Sequence, residues 1–409
     1  MNTATAEEFQ PHWTGVNYLD TSAADRPLCI AFVISLFSPI ESGAERQARL
    51  QAEELASRGH HVSVYTRALE NLPRSQLHFV SPSGGRVLIK RVIRTSSRGP
   101  LFGISFIQKL AGALWQERNK IDVIHSHQAL WESITLGLAR SFIQRPTLIQ
   151  PASSGYDGEA QEMMRTRGRA ILRRLSIRSP LFACISDDIA AEWRGMGVED
   201  SRLIKVCSGV DVNQFCPADR PPMNDSKTFQ AIFTGRLHDQ KQVDVLVRAW
   251  PLVLKRARAK LVLVGDGPLK MQLIALRDEL GMTENEIQFC GRLENTAGEL
   301  KKSDLFLLPS RAEGMSNSLL EAMATGLPCI VSAIGGNTDL IDHETSGFLV
   351  HSPDPEDWAT AILQSFRNPQ AALRWGQAAR EKVVRDFSIQ SVVDRNLIIY
   401  RRMISNSKK

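Results

Sequence analysis

The chain has 409 residues, 43% of them hydrophobic and 23% charged, which allows two or three domains with ordinary cores and excludes a disordered composition. Its six cysteines lie far apart with no CxxC pair, so no zinc site is expected, and scattered thiols suit a reducing cytoplasm. The net charge is +6, but residues 67–178 hold 18 Lys and Arg against 7 Asp and Glu, which suggests an anionic partner for the N-terminal half.

The first 25 residues are neutral to acidic and lack the basic start of a signal peptide, so we predict a flexible N-terminal tail over residues 1–25. No run of 18 or more apolar residues follows, and no transmembrane helix is expected. We therefore expect a cytoplasmic protein that is either free or peripheral on the inner face of the membrane.

Seven short apolar runs in the first half of the chain alternate with helix-like segments, two of which, Ala44–Arg58 and Trp131–Ile143, are amphipathic. Because the runs are apolar on both faces, they predict a parallel sheet covered by helices. The predicted strands are Leu28–Ile34, His61–Tyr65, Val87–Ile93, Asp122–His125, Thr147–Gln150, Leu181–Ile185 and Leu203–Val206.

The second half repeats the alternation, and a proline-containing stretch separates the two series. We predict an α/β fold with two Rossmann-like domains, 26–207 and 226–385, whose parallel sheets face each other across a cleft. Residues 208–225 are the predicted linker, and the C-terminal helix in 386–409 is expected to pack back on the N-terminal domain. The predicted strands of the second series are Gln230–Phe233, Lys260–Val264, Ile287–Phe289, Asp304–Leu308, Pro328–Val331 and Gly347–Val350.

Ligands of open parallel sheets bind at the carboxyl ends of the strands, and a small polar turn follows the predicted strand Asp304–Leu308. Two glutamates eight residues apart, Glu313 and Glu321, flank this turn, which opens a helix. The free N–H groups of such a turn suit a diphosphate. Two other interpretations stay open: Ser318 and Glu321 could form a capping box, and Glu313 could simply be solvated. The residues of the turn that we expect to bind a ligand are Gly314, Met315, Ser316, Asn317 and Ser318.

Two cations follow the predicted strand Gln230–Phe233. Gly235 would allow a close backbone approach, and Arg236 and Lys241 could neutralise a leaving diphosphate without a metal. The alternative is a solvated basic loop. Arg292 and Leu293 follow the strand Ile287–Phe289 and would line the same edge of the sheet.

The first half offers two further candidates at strand ends. Gly43 opens a helix after the first strand and could face a phosphate or a sugar. His125 and His127 end the strand that starts at Asp122, and with no third ligand in view they favour a binding role or a structural one over a metal site.

A basic segment lies later in the first half, with apolar residues at nearly helical spacing between its arginines. It could lie on an anionic membrane, or it could be the solvated face of a helix. A nucleic-acid partner is not expected, because no stacking aromatic residues accompany the arginines. The arginines are Arg165, Arg167, Arg169, Arg173, Arg174 and Arg178.

Taken together, these residues resemble the family 4 retaining glycosyltransferases of the GT-B fold, the group 1 glycosyl transferases. Glu313 and Glu321 fit the Glu-x7-Glu motif of that family. The element Gly-Arg-Leu-x3-Lys is matched from Gly235 to Lys241, and Gly209-Val210-Asp211 resembles the interdomain hinge. The sequence departs from the family where Ser42, Ser208 and Gln242 stand for Gly, Asn and Gly.

The resemblance implies a role for each matched residue. Arg236 and Lys241 would hold the donor diphosphate, Glu313 would contact the donor sugar, and Glu321 would bind the ribose. His127 would sit at the reacting sugar, and Gly43 would lie near the phosphates. The catalytic set implied in this way is Glu313, His127, Arg236 and Lys241.

The activity implied by the resemblance is transfer of a hexose-type sugar, with retention, from a nucleotide-diphosphate sugar to a glycan or lipid-linked acceptor. The setting would be polysaccharide or lipopolysaccharide biosynthesis, with no cofactor and no metal. One alternative is a catalytically inert protein of the same fold that binds sugar nucleotides or glycans. A nicotinamide enzyme is excluded, because the loop after the first strand has no GxGxxG pattern.

Overall fold

The computed structural model describes residues 26–40, 42–95, 100–155, 158–166, 168–218 and 228–407. The predicted tail 1–25, Arg167 and residues 219–225 of the predicted linker lie outside the described residues. The chain divides into two compact units, one formed by residues 1–208 with 389–409 and the other by residues 209–388. Each unit is an α/β layer structure built on one sheet, so the two predicted parallel-sheet domains are confirmed.

The first unit holds an eight-stranded sheet in the order β3-β4-β2-β1-β5-β6-β7-β8. All neighbouring strands are parallel except the pair β3 and β4. The central strands β5 and β6 are buried throughout and β1 is buried except at Cys29, as their continuous apolar sequences predict. The strands are β1 (Cys29–Val33), β2 (His61–Arg67), β3 (Ser75–Val80), β4 (Arg86–Ile93), β5 (Val123–Ser126), β6 (Thr147–Ile149), β7 (Leu181–Cys184) and β8 (Leu203–Lys205).

The helices of the first unit cover both sides of its sheet. The last helix of the chain belongs to this unit: Asn396 donates to Gln51 on the first helix at 3.0 Å, and the Tyr400 hydroxyl bonds to His125 at 2.6 Å. The helices are α1 (Gly43–Ser57), α2 (Pro100–Glu117), α3 (Trp131–Ile143), α4 (Glu159–Arg165), α5 (Arg169–Ser176), α6 (Asp187–Gly195) and α14 (Ile389–Asn406).

The antiparallel edge strand β3 is an element that sequence reasoning missed. Among the described strands it pairs only with β4, and its side chains Leu77 and Val80 are exposed. An edge strand of this kind buries too little apolar surface to show a strand pattern in the sequence.

The second unit holds a six-stranded, wholly parallel sheet in the order β11-β10-β9-β12-β13-β14. Its strands are β9 (Phe229–Thr234), β10 (Ala259–Val264), β11 (Ile287–Gly291), β12 (Leu305–Leu308), β13 (Cys329–Ser332) and β14 (Phe348–Val350). Its helices are α7 (Val243–Leu254), α8 (Lys270–Glu279), α9 (Ala297–Lys302), α10 (Asn317–Ala324), α11 (Gly335–Leu340), α12 (Pro355–Arg367) and α13 (Pro369–Lys382).

The start of the predicted linker is built into the second unit. The Arg380 guanidinium on α13 donates to the carbonyl oxygens of Phe215 at 2.7 Å and Val212 at 3.1 Å. Phe215 itself is buried. Residues 209–218 therefore belong to this unit through both hydrogen bonds and apolar packing.

Candidate active site

The strand order of the second sheet creates a switch point between β9 and β12. The chain passes from β9 to β10 and β11 on one side, then returns so that β12 pairs with the other side of β9. The loops after β9 and β12 therefore leave the carboxyl edge of the sheet in opposite directions. Open α/β sheets bind their ligands in the crevice that such diverging loops leave.

The loops that follow β9 and β12 are tied together by backbone and side-chain hydrogen bonds. The Arg311 amide donates to the Gln240 carbonyl at 2.9 Å, and the Gln240 side-chain amide donates to the Ala312 carbonyl at 2.8 Å. On the surface, the Arg311 guanidinium forms an ion pair with Asp239. These contacts bring the Arg236–Lys241 loop to the first glutamate of the predicted motif.

Glu313 is buried beside Lys241 rather than solvated. Its Oε1 accepts a hydrogen bond from the Ser310 hydroxyl at 2.6 Å and an ion pair from the Lys241 ammonium. Its Oε2 accepts no hydrogen bond from the described residues. The solvated-loop interpretation is therefore wrong for Glu313. Its carboxylate is buried, and the Lys241 ammonium and the Ser310 hydroxyl compensate for the lost contact with water.

Arg236 differs from Lys241 in its surroundings. Its side chain is exposed, and within the described ranges its guanidinium makes no hydrogen bond or ion pair. Gly235 precedes it at the end of β9, and its amide donates to the Val264 carbonyl at 3.0 Å. The structure thus presents one cation that is held in place and one that remains open to solvent at the same strand end.

Gln242 follows Lys241 and has a φ of +44°, in the left-handed region that favours glycine. Glycine is the residue that the resembling family has at this position. The left-handed turn that positions Lys241 is therefore present here although Gln242, and not glycine, occupies it.

The helix α10 begins at Asn317, with Ser316 as its N-cap: the Ser316 Oγ accepts a hydrogen bond from the Leu319 amide at 3.4 Å. The third helical residue is thus Leu319, and Glu321 is the fifth. A capping box requires the acidic residue at the third helical position. The capping interpretation of Glu321 is therefore wrong, and the helix starts at the switch point with Gly314 and Met315 directly before its cap.

Glu321 is buried, and its Oε2 accepts a hydrogen bond from the Thr296 hydroxyl at 3.0 Å. Thr296 ends the loop between β11 and α9 as the N-cap of α9, and the side chain of the preceding Asn295 accepts a hydrogen bond from the Ala297 amide at 2.9 Å. Arg292 and Leu293 are exposed in the same loop. Sequence reasoning missed Thr296, because a lone threonine 25 residues before its partner carries no local signal.

Two glycines let backbones approach closely at this edge. A side chain on Gly265, after β10, would clash with the Gly235 carbonyl oxygen, and one on Gly336, after β13, would clash with the carbonyl oxygen of Gly314. The Gly336 amide also donates to the Glu313 carbonyl at 3.3 Å. The loops after β9, β10, β12 and β13 therefore converge on one small region of the unit.

The first unit has its own switch point, between β1 and β5, and the two N-terminal candidates lie there. Gly43 is the first residue of α1, where the Glu45 carboxylate accepts from the Ser42 amide at 3.0 Å. His127 directly follows β5, and its amide donates to the Val33 carbonyl at 2.9 Å. Both candidates thus lie at the carboxyl edge of the first sheet.

The His127 ring is buried between aromatic neighbours. Its centroid lies 4.4 Å from that of Phe32 and 4.2 Å from that of His125. In the described part of the chain neither of its ring nitrogens has a hydrogen-bond partner. Burial lowers the pKa of His127 well below its usual value, so the ring is neutral at pH 7.

The basic segment folds as α4 and α5, with Arg165, Arg169, Arg173, Arg174 and Arg178 exposed. Of the helices in the described ranges, none is both long and apolar enough to cross a membrane. The same ranges contain no cluster of three or more His, Cys, Asp or Glu side chains arranged to hold a metal ion.

Comparisons with known proteins cover both units. Residues 42–214 match the family model described as Glycosyltransferase Family 4, and residues 228–368 match the model described as Glycosyl transferases group 1. The N-acetyl-alpha-D-glucosaminyl L-malate synthase of Bacillus anthracis is 25% identical over 367 residues, which is 87% of this chain and 93% of the relative.

Two further proteins are similar over most of their length. The UDP-Gal:alpha-D-GlcNAc-diphosphoundecaprenol alpha-1,3-galactosyltransferase of Escherichia coli is 26% identical over 305 residues, 71% of this chain and 78% of the relative. The crystal structure of Anabaena HepE in complex with UDP and glucose has a TM-score of 0.69 at 18% identity, covering 90% of this chain and 98% of that one. At 18% identity the similarity to HepE shows only that the two proteins share a fold.

Proposed function

Because the chain belongs to the family 4 glycosyltransferases (the group 1 glycosyl transferases) and has their GT-B fold, we propose that it transfers a hexose-type sugar, with retention, from a nucleotide-diphosphate sugar. The acceptor in this proposal is a glycan or a lipid-linked glycan of cell-surface polysaccharide or lipopolysaccharide synthesis. In support, the name of the Escherichia coli relative specifies a UDP-sugar donor and a diphosphoundecaprenol acceptor. The names of both relatives describe synthesis or transfer, which favours a transferase over an inert binding protein.

One observation supports this function most directly, namely the ion pair of the half-buried Lys241 with the buried Glu313, at the same strand end as the exposed Arg236. Glu313 uses Oε1 for Lys241 and Ser310, so Oε2 is left to accept from a sugar hydroxyl. The Lys241 ammonium has three donors, of which Glu313 takes one, so two can bind phosphate oxygens. Arg236 can add a bidentate contact to the same diphosphate.

The proposed reaction breaks the bond between the anomeric carbon and the leaving phosphate oxygen and forms a bond from the acceptor oxygen to the same face of that carbon. The proton of the acceptor hydroxyl passes to the leaving phosphate oxygen. Negative charge grows on the diphosphate as the bond breaks, and Arg236 and Lys241 stabilise it. A well-placed donor of this kind lowers the barrier by roughly 3–4 kcal/mol. The amides before α10 add to the same effect, since a helix N-terminus favours an anion.

We assign Glu321 to the ribose hydroxyls of the donor, with Thr296 holding its carboxylate in orientation. The roles implied for Gly43 and His127 stay predictions. The two unbonded ring nitrogens of His127 support its role, because a sugar hydroxyl would supply the missing partner.

A donor screen followed by product analysis tests the proposal. Thermal unfolding is measured with UDP-, GDP- and ADP-sugars; we test UDP-sugars first because HepE was solved with UDP. A donor at about 100 times its Kd adds roughly 2.7 kcal/mol to the free energy of unfolding, which gives a clear rise in Tm. The anomeric configuration of the product is then read by NMR, and retention is expected.

The matched variants are Glu313→Gln and, as control, Glu279→Gln at an exposed position of α8. We expect Glu313→Gln to lose at least about 100-fold in transfer rate and the control to keep the wild-type rate. Binding of a sugar nucleotide without any transfer would point to the inert alternative. A chain that no nucleotide sugar stabilises would contradict the function itself.

A further inference from the structure

Three helices on one side of the first sheet form a continuous outer surface. α2, α3 and α5 lie in connections that all advance in the same direction across the sheet, from β4 to β5, β6 and β7, so right-handed crossovers place them on the same side. α2 meets α3 where Gly103 packs against the Trp131 ring, and α3 meets α5 where Gly137 packs against the Leu175 carbonyl. We call the outward surface of these helices the α2–α3–α5 face.

Large apolar side chains stand exposed on each helix of the α2–α3–α5 face. On α2, Leu101 is 65% exposed and Ile104 51%, and Trp115 is exposed on the same side of the helix. Leu138 and Phe142, one turn apart on α3, are exposed beside them, and Ile171 on α5 is 66% exposed. A cluster of exposed apolar side chains on neighbouring elements marks an interaction surface rather than ordinary solvent contact.

Arginines surround these apolar side chains. Arg169 and Arg174 on α5 are exposed, and neither forms an ion pair with any of the described residues. Arg140 on α3 bonds through its guanidinium to the Arg178 carbonyl at 2.9 Å, which joins α3 to the end of α5. The Arg118 guanidinium stacks on the Trp115 ring with 4.7 Å to the centroid. The face therefore combines apolar groups with positive charge that the protein itself leaves unneutralised.

We propose that the α2–α3–α5 face binds the surface of an anionic lipid membrane. The arginines would contact the headgroups, Leu101, Ile104 and Ile171 would enter the acyl boundary, and Trp115 would lie at the headgroup level. The sequence pattern pointed only to the arginine segment; the structure shows that most of the exposed apolar groups come from α2 and α3. This surface shares no residue with the donor site, so the membrane proposal can be tested independently of the transfer chemistry.

Other occupants fit the face less well. In a two-fold contact with a second copy, arginines would face arginines, and the like charges would repel. A single-stranded nucleic acid would need aromatic rings to stack on, but the exposed groups are mainly aliphatic and Arg118 already covers the Trp115 ring. An anionic membrane offers headgroups to the arginines and an acyl boundary to the apolar side chains, so it fits both features of the face.

Co-sedimentation of the full chain with vesicles of phosphatidylcholine and phosphatidylglycerol, against pure phosphatidylcholine, tests the proposal. The charge variant is Arg169→Ala with Arg174→Ala, and the apolar variant is Ile104→Ser with Ile171→Ser. The matched control is Met271→Ser with Leu373→Ser, which removes side chains that are 72% and 58% exposed on the second unit. Thermal unfolding confirms that each variant is folded.

Each arginine near an anionic surface contributes about a fivefold factor, so the charge variant should bind about 25-fold more weakly at low salt. That difference should shrink in 0.5 M salt, because the ionic contribution is screened. The apolar variant should lose at least about tenfold of the binding that persists in high salt, while the control binds as the wild type does.

Three results would overturn the proposal. The first is equal binding, or none, to anionic and neutral vesicles. The second is dimerisation in light scattering that the apolar variant abolishes, which would make a second copy the occupant. The third is binding of a labelled RNA that the charge variant abolishes while vesicle binding is unaffected.

Discussion

The carboxyl edges of the two sheets differ in their cations, although both lie at a switch in strand order and both bury glutamates. The second unit presents the exposed cation Arg236 and the Lys241–Glu313 pair at its edge. The first unit buries two histidines and three glutamates, among them His127 and Glu132, at its edge. Since a diphosphate needs fixed positive charge, the second edge suits one through Arg236 and Lys241.

Burial explains the state of the groups in the first unit. It lowers the pKa of His125 to about 3 and raises the pKa of Glu132 to about 7, while the pKa of Glu159 is also raised. Glu159 accepts hydrogen bonds from the Ala152 and Ser153 amides at about 3.0 Å and so holds the loop after β6. His125 is therefore neutral and Glu132 is only partly ionised near pH 7, and hydrogen bonds hold these buried groups, which suits a ligand rich in hydroxyl groups.

The largest effect is expected where the second edge loses its open cation. Arg236→Ala should lower kcat/KM for the nucleotide sugar by about 100- to 1,000-fold, because it removes a donor to the charge that grows on the leaving diphosphate. Arg311→Ala is the control, since it removes an exposed guanidinium from the neighbouring loop and breaks only a surface ion pair. Equal kcat/KM values for Arg236→Ala and Arg311→Ala would contradict the assignment of the diphosphate to the second edge.

The next effect tests whether the first edge avoids charge. The folded pKa of Glu132 is about 7, above the unfolded value of 4.5, so its contribution to stability is fully present below pH 4.5 and is lost as pH rises through about 7. Glu132→Gln keeps the side chain neutral. It should raise the free energy of unfolding by up to about 3 kcal/mol at pH 8 and hardly change it at pH 4.5.

Thermal denaturation of Glu132→Gln between pH 4.5 and 8 measures this difference, with the exposed Glu162→Gln on α4 as control. The groups that face Glu132 are the Ser35 hydroxyl, Glu159 and Arg67, so their protonation is followed in the same titration. A stability gap between Glu132→Gln and the wild type that is the same at every pH would show that Glu132 is ionised throughout.

The smallest effect sharpens the assignment of the ribose site. Thr296→Val removes the hydroxyl that holds the Glu321 carboxylate and should weaken nucleotide binding about five- to tenfold, which corresponds to the net value of about 1 kcal/mol for one ordinary hydrogen bond. Thr296→Ser keeps the hydroxyl and should bind nearly as the wild type does. Calorimetry with the nucleotide and with its 2′-deoxy form separates the roles: the loss should shrink for the deoxy ligand, and an equal loss would make Thr296 merely structural.

The sequence predicted the outline of both units and the second edge more fully than the first. Apolar runs on both faces give buried parallel strands, and the spacing of Glu313 and Glu321 placed both glutamates beside one helix start. The edge strand β3 was missed because four of its six side chains are exposed. The capping interpretation of Glu321 failed because α10 begins at Asn317, two residues before the start that Ser318 as N-cap would give. Local sequence holds too little information to choose among such helix starts.

By itself, the sequence determined the alternation of strands and helices, the motif spacing and the positive charge of the first half, because each depends on residues close together in the chain. Tertiary structure decided which groups became partners and which stayed exposed. Lys241 meets Glu313 across 72 residues, Thr296 meets Glu321 across 25, and the apolar groups of α2 and α3 come to lie beside the arginines of α5. Hydrogen bonds and burial depend on how distant segments pack. Only the tertiary structure therefore shows that Lys241 is ion-paired and that the Arg236 side chain is exposed to solvent.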